Sequence, residues 1–214
     1  MIKKITAYFF ICLFLVHPLK AGDDFCGIKN FAFNSGEEIS YNLYYSVIGL
    51  YINAGSAKFG VAQEKINETA SYHVTCIGTS NSRYDWIFKV RDKYESIVDA
   101  KTLLPYYFSR SINEGGFHQN QNLTFNQKSN EVLNDRGDTF KSADCTFDVI
   151  SAIYAARNLD FRNLQVNDKV YLNFFLDNEL FPSYFKYLGK EIVQTKFVVS
   201  CGIHGHRLIC NIYP

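Results

Sequence analysis

Two cysteines and two histidines lie within ten residues near the end of the sequence, in CGIHGHRLIC at 201–210. A structural zinc site needs about four such ligands at about 2.0–2.3 Å, and the spacing C-x2-H-x-H-x3-C matches no zinc finger. On a strand, His204 and His206 would share one face and Cys201 would face the other way. Cys210 would lie about 13 Å from His206. We assign no metal ligand and favour a poorly packed tail. A Cys201–Cys210 disulfide, or a metal gathered by a tight turn, are the alternatives.

Nucleophilic catalysis would need an activated serine or cysteine beside a base and an orienting group. His73 and His118 lie in alternating segments where polar side chains are expected to face solvent. The sequence has no G-x-S-x-G turn and no Cys–His signature. It also lacks a glycine-rich phosphate-binding loop. We therefore assign no catalytic residue and no cofactor.

Several acidic residues could supply the carboxylate pair that glycoside cleavage requires. Acidic side chains on the solvent face of strands are nevertheless common, and this pattern singles out no pair. We expect a protein without enzymatic activity. The candidates considered are Glu37, Glu38, Asp92, Glu95 and Asp99.

Aromatic residues are abundant, with 15 Tyr, 19 Phe and one Trp. Neighbouring aromatics such as Tyr106 and Tyr107 must point to opposite sides of a strand, so both faces of parts of the sheet are aromatic. One face could line a cavity for an apolar or glycan-like ligand; the alternative is that all these rings are ordinary core. The ligand-binding candidates are Tyr44, Tyr51, Tyr107, Phe175 and Tyr184.

Alternation with a period of two runs through most of the chain. It is clearest at Ile39, Tyr41, Leu43, Tyr45 and Val47, and predicts a strand with one buried face there. Regularly spaced strands of this kind are typical of antiparallel sandwiches and barrels. We predict a mainly β fold, an antiparallel curved sheet or β-barrel.

One segment breaks the alternation and predicts an inserted helix at about 144–157. Ile150, Ile153 and Tyr154 follow helical spacing. Ser142 or Asp144 could accept a free backbone N–H at the start of the helix.

The first 21 residues read as a signal peptide, with a basic start, an apolar run of about a dozen residues and a small residue at Ala21. An uncleaved membrane anchor is the alternative, but the run is shorter than the roughly 20 residues that span a bilayer. Without Lys3, Lys4 and Lys20, 19 basic residues face 21 acidic ones, a net charge of −2. This charge excludes a nucleic-acid footprint, and no later segment resembles a transmembrane helix.

Five cysteines would remain after cleavage, so at least one is unpaired. We favour a disulfide between Cys26 and Cys145, which lie at the boundaries of predicted elements. Cys76 lies inside a strand pattern and is expected to be a buried apolar residue.

The ordered series GEEISYNLYYSVIGLYINAGSAKF, RDKYESIVDAKTLLPYYF, CTFDVISAIYAARNLDF and FKYLGKEIVQTKF resembles the DUF3108 family over roughly residues 30–197. The resemblance implies a bacterial, envelope-exported, mainly β domain with one inserted helix, and it carries over no catalytic residue. We assign 22–197 to this domain. The tail 198–214 is atypical, since relatives continue with glycine after the position of Phe197, and we interpret it as a truncated or frame-shifted end.

These observations predict an exported protein of the periplasm or outer membrane that is not an enzyme. Its curved, aromatic-rich sheet would bind an apolar or glycan-like ligand. The alternative is a structural or assembly protein that binds another envelope protein through a sheet edge.

Overall fold

Eight consecutive strands form one antiparallel sheet in which each strand pairs with the next along the chain. The computed structural model describes residues 28–47, 50–191 and 205–211. Because β1 and β8 are the two edges, the sheet is open and is not closed into a barrel. The strands are β1 (Glu38–Val47), β2 (Leu50–Ile66), β3 (Thr69–Ser80), β4 (Arg91–Asp99), β5 (Pro105–Glu114), β6 (Phe117–Asn126), β7 (Glu131–Asn134) and β8 (Thr139–Lys141).

A second sheet of four strands has the order β12-β11-β10-β9. The pair β9–β10 is parallel, and the other two pairs are antiparallel. The strands are β9 (Thr146–Phe147), β10 (Lys169–Leu176), β11 (Glu179–Glu191) and β12 (Gly205–Asn211).

The strand β12 lies in the tail that the sequence predicted to be poorly packed. Its backbone pairs with β11 from Tyr184 opposite Asn211 to Glu191 opposite Gly205. The poor packing predicted for this tail stays a prediction. Cys201 and His204 lie outside the described residues.

The one α-helix of the described chain, α1 (Val149–Ala156), begins at a buried aspartate. The Asp148 carboxylate accepts hydrogen bonds from the backbone N–H of Ile150 at 2.8 Å and of Ser151 at 2.9 Å. In return, the Ser151 hydroxyl accepts the backbone N–H of Asp148 at 2.9 Å. These reciprocal bonds form a capping box, which satisfies N–H groups that a helix cannot satisfy internally.

The helix is confirmed but is shorter than the predicted 144–157. Thr146 and Phe147, inside the predicted range, form β9, and Cys145 has the left-handed φ of +58°, which a right-handed helix excludes. Neither Ser142 nor Asp144 is therefore the cap. Within the described residues, no helix is long and apolar enough to cross a membrane.

The main core lies between the large sheet and α1. Six strands of the large sheet contribute to this core, together with Ile150 and Tyr154 of the helix and Phe175 of β10. Six strands at about 4.8 Å spacing span about 24 Å, whereas a helix is about 10 Å wide. The helix therefore covers only part of the curved sheet, and Phe175 of β10 covers another part through Phe125 and Phe140. The strand residues are Val61, Val74, Val98, Phe108, Leu123, Phe125 and Val132.

The first strand does not bury one face as its alternation predicted. The side chains of Tyr41, Leu43 and Tyr45 are 52%, 48% and 67% exposed, so the prediction of a buried face is wrong here. The reason is position: β1 is an edge strand, and the helix packs against β3 and β4 instead.

The segment before β1 folds over the end of the helix. The Arg157 guanidinium donates to both carboxylate oxygens of Glu37, at 2.6 and 2.8 Å. The Asn158 side chain accepts the backbone N–H groups of Phe31 and Ala32 at 2.7 and 3.0 Å. Hydrogen bonding to Glu37 raises the pKa of Arg157, as expected for a two-pronged ion pair.

Candidate functional site

Exposed apolar side chains gather at one end of the large sheet. Alternate connections of a meander meet at the same end, and here those are β1–β2, β3–β4 and β5–β6. Eight side chains on these connections and the adjoining strand ends are each more than half exposed. We name this set the apolar end: Tyr44, Tyr45, Leu50, Tyr51, Trp86, Ile87, Phe88 and Phe117.

The tip of the β1–β2 hairpin projects beyond its neighbour. Strand β3 ends at Ser80, which pairs with Gly55, while β1 and β2 continue to pair with each other up to Val47 opposite Leu50. A two-stranded hairpin standing alone is only marginally stable in water. The projecting tip therefore has an apolar surface and no core of its own in which to bury it.

A close approach of two backbones marks the base of the tip. A Cβ on Gly55 would lie 2.3 Å from the Thr79 carbonyl oxygen, so only glycine fits there. The backbone N–H of Asn81 donates to the Ala54 carbonyl at 2.8 Å, and its side chain donates to the Asn53 carbonyl at 3.2 Å. The β3–β4 connection is thus fixed against the hairpin.

The β3–β4 connection carries Trp86, Ile87 and Phe88, and hydrogen bonds fix the residues on either side of them. The Asp85 carboxylate accepts hydrogen bonds from the Ser80 hydroxyl and the Arg91 guanidinium. These bonds, that of Ser80 first, lower the pKa of Asp85. All three apolar side chains are more than half exposed, Trp86 most of all at 82%.

The β5–β6 turn completes the apolar end. The backbone N–H of Gly115 donates to the Lys89 carbonyl at 2.8 Å. Gly115 has φ +55°, and a Cβ there would lie 2.3 Å from the Phe88 ring. The absence of a side chain therefore lets Phe88 lie against the turn.

We expect Gly115→Ala to destabilise the protein by about 1–2 kcal/mol, because alanine must adopt a left-handed conformation and displace the Phe88 ring. Urea unfolding measures the change. In a Phe88→Ala background the ring is gone, so the same substitution should cost about 1 kcal/mol less. An equal cost in both backgrounds would show that backbone strain alone is responsible.

The basic residues at the apolar end are more exposed than the acidic ones. Arg83 and Lys89 flank the apolar triplet, are exposed and form no ion pair within the described part of the chain. Of the acidic groups nearby, Asp85 is paired with Arg91. Glu114 lies beside Asp92, and the hydrogen bond between these two carboxyl groups raises the pKa of Glu114. Arg83 and Lys89 are therefore two exposed cations beside the apolar end.

The five ligand-binding candidates from the sequence do not line one surface. Tyr44 and Tyr51 lie on the projecting tip. Tyr107 is half-buried, and its hydroxyl donates to Asn122 at 2.8 Å. Their role in binding stays a prediction for all five, and the structure brings together only the two residues of the tip.

The remaining two candidates lie in and around the second sheet. Phe175 is 1% exposed and packs against Phe125 and Phe140 in the main core. The Tyr184 ring lies 5.9 Å from that of Tyr171, at an open groove of about 430 Å³.

Sequence reasoning missed the β3–β4 connection. Trp86, Ile87 and Phe88 have no period of two or 3.6, so they indicate neither strand nor helix. An available signal was the chain's single Trp, set in a short aperiodic segment between two clear strands.

The polar residues considered for catalysis make structural contacts. His73 lies between Glu64 and Glu95, with nitrogen–oxygen distances of 3.7 and 3.1 Å. The Asp99 carboxylate accepts hydrogen bonds from Tyr106 and Thr102. No group of three or more metal-ligating side chains occurs among the residues that the structure describes.

Comparison with known sequences places the fold in a family. A family described as "Protein of unknown function (DUF3108)" matches residues 40–202, close to the range over which the sequence resembled it. No curated protein and no solved structure matches the chain. Because the match covers β1 to β11 with α1, and more than half of the sequence, this chain belongs to the DUF3108 family.

Proposed function

We propose that this protein is an exported, non-enzymatic binding protein whose curved sheet binds an apolar partner through the apolar end. One observation carries the proposal: eight apolar side chains, each more than half exposed, lie on three neighbouring connections. Single exposed apolar residues are normal on a protein surface, whereas a contiguous patch marks an interaction site. Phe31 and Val166 are examples of the scattered kind.

Export is supported by the sequence pattern of residues 1–21. A location in the periplasm or at the outer membrane agrees with that pattern. Binding is favoured over catalysis because the described candidate groups, His73 and Asp99 among them, already serve as partners of neighbouring side chains.

An apolar partner fits the apolar end better than a glycan. Tyrosine and tryptophan rings can stack on either kind of ligand. Leu50, Ile87 and Phe88 offer no hydrogen-bonding group, however, and so favour a ligand with an alkyl chain.

Trp86 allows a direct test, because it is the only tryptophan of the chain. Titration with dodecyl maltoside should shift its fluorescence to shorter wavelength and reduce quenching by acrylamide, since the indole leaves water. Maltose alone should do neither if the alkyl chain is what binds. The variant Leu50→Ser/Tyr51→Ser should weaken the response.

A matched control removes exposed apolar groups elsewhere. Leu133→Ser/Tyr171→Ser changes two exposed side chains outside the apolar end and should respond like the unmodified protein. The proposal fails if Trp86 fluorescence is unaffected by the detergent. It also fails if both double variants respond alike.

The second candidate is an assembly protein that binds through the sheet edge. It is favoured by β1, a ten-residue edge strand with exposed side chains over residues 41–46, since an edge strand is a template for backbone pairing. Pairing along β1 would leave Trp86 open to acrylamide, so the same measurement distinguishes the two candidates.

We also propose the disulfide between Cys26 and Cys145. Ile28, two residues after Cys26, packs against the same hydrophobic cluster as Cys145. Two residues of extended chain span about 7 Å, so Cys26 can reach Cys145. Cys76 is a free thiol, half-buried in the sheet, and burial raises its pKa.

A further inference from the structure

We infer that the partner of the apolar end is the surface of a lipid bilayer with anionic headgroups. This inference rests on the proposed function and specifies the partner. It is carried by the distribution of apolar side chains over the projecting tip and by the exposed cations beside it.

The tip is apolar on both of its faces. Leu50 and Tyr51 are neighbours in β2, so their side chains point to opposite faces of the ribbon, yet they are 69% and 79% exposed. A folded partner would cover one face and leave the other in water. A fluid apolar medium surrounds an inserted tip and covers both.

The backbone of the tip is suited to such a medium. Strands β1 and β2 pair with each other up to Val47 opposite Leu50, so hydrogen bonds within the ribbon satisfy part of its backbone. Unsatisfied backbone groups are what excludes irregular chain from hydrocarbon. The tip extends five residues beyond Gly55, about 16 Å at 3.3 Å per residue, which suffices to reach the acyl boundary without burying the main sheet.

The residue types of the apolar end match the headgroup and acyl-chain levels of a lipid bilayer. Tyrosine and tryptophan concentrate at the level of lipid headgroups, where one end of the ring is wet and the other apolar. Tyr45, Tyr51 and Trp86 supply such rings, and Leu50 lies near the tip, where acyl chains would be met.

The charge at this end complements an anionic surface. Arg83 and Lys89 are exposed, and the nearby carboxylate of Asp85 is paired with Arg91. Each basic residue close to an anionic membrane contributes about fivefold in binding. The whole chain has a formal charge of only +1, so the attraction is local to this end.

Sedimentation with lipid vesicles tests the inference. We expect binding to phosphatidylcholine vesicles that contain phosphatidylglycerol, and at least tenfold weaker binding to phosphatidylcholine alone. The variant Leu50→Ser/Tyr51→Ser should lower binding at least tenfold, and the control Leu133→Ser/Tyr171→Ser should not. Each variant keeps residues 1–21 as the unmodified protein has them, so any contribution from that segment is shared.

A charge-matched pair of variants isolates the cations. Arg83→Gln/Lys89→Gln should lower binding to the anionic vesicles by about 30-fold. Lys101→Gln/Lys128→Gln removes two exposed lysines at the opposite end of the sheet and should leave binding within about twofold.

Three results would overturn the inference. The first is a detergent response of Trp86 without binding to either vesicle, which leaves the proposed function intact and excludes the bilayer. The second is equal binding by both charge variants. The third is a dimer, or a complex with another protein, that the tip variant alone abolishes while vesicles do not bind. Loss of the detergent response as well would remove the proposed function too.

Discussion

Replacing Asp148 by alanine is expected to lower the free energy of unfolding by about 3–5 kcal/mol. The Asp148 side chain is fully buried and accepts two backbone N–H groups of α1 together with the hydroxyls of Ser96, at 2.6 Å, and Ser151, at 2.9 Å. Loss of a helix cap costs about 1 kcal/mol. Each buried donor left without a partner adds about 1–3 kcal/mol.

Two further variants test whether the loss comes from the helix cap at Asp148 or from the removal of any carboxylate nearby. Asp148→Asn keeps an oxygen for the backbone N–H groups and an amide for the two hydroxyls, so it should lose less stability than Asp148→Ala. Asp144→Ala removes an exposed carboxylate four residues away whose side chain bonds Asn130 and should cost less than about 0.5 kcal/mol. Urea unfolding at one pH compares all three. A loss below about 1 kcal/mol for Asp148→Ala would contradict the assignment.

The same residue predicts a dependence on pH. Burial raises the pKa of Asp148 above its usual value, so the folded state binds this proton more tightly than the unfolded state does. Its contribution to stability is complete below about pH 4, the pKa of an unfolded aspartate, and is lost as the pH rises through the folded pKa. The difference in stability between Asp148→Asn and the unmodified protein should therefore shift in favour of the asparagine as the pH rises across this range.

Loss of the proposed disulfide is expected to have an effect of similar size. A bond from Cys26 to Cys145 closes a loop of about 120 residues, for which the chain-entropy model gives about 4–5 kcal/mol. Cys145→Ala should lower stability by this amount in non-reducing buffer, and dithiothreitol should lower the unmodified protein to the same level. Cys76→Ala, which removes a free thiol, is the control and should leave the effect of dithiothreitol unchanged.

Peptide mapping without reduction checks the pairing itself. The digest should contain a cross-linked pair of peptides that carry Cys26 and Cys145 and separate on reduction. A link from Cys145 to another cysteine would contradict the proposed pairing. An unchanged unfolding curve in dithiothreitol would contradict the size of the effect.

The strands and the helix could be predicted because their causes are local. Alternation around Val74 and Val98 follows directly from a two-residue period, and helical spacing around Tyr154 identified α1. The start of α1 was misplaced because Cys145 adopts a left-handed φ of +58°, and nothing in the local pattern of a non-glycine residue announces this conformation.

The apolar end could not be predicted because exposure depends on strand lengths and register. Strand β2 has 17 residues and β3 has 12, so the β1–β2 tip lacks a third strand beside it. Alternation at Tyr41 and Tyr45 is the same whether a helix covers that face or leaves it bare. The pairing of Gly55 with Ser80 in the structure is what shows where β3 ends beside β2.

The contact between the segment before β1 and the end of α1 constrains the order of folding during synthesis. Phe33 packs against Tyr154, with ring centroids 4.9 Å apart. Glu37 forms its ion pair with Arg157, which lies 120 positions later in the chain. The hairpins of the meander can form one by one. The main core, however, includes both Phe33 and Tyr154, so it is complete only when both residues are present. Contacts so distant along the chain form slowly, so the hairpins of the meander can be in place before the segment before β1 packs against the end of α1.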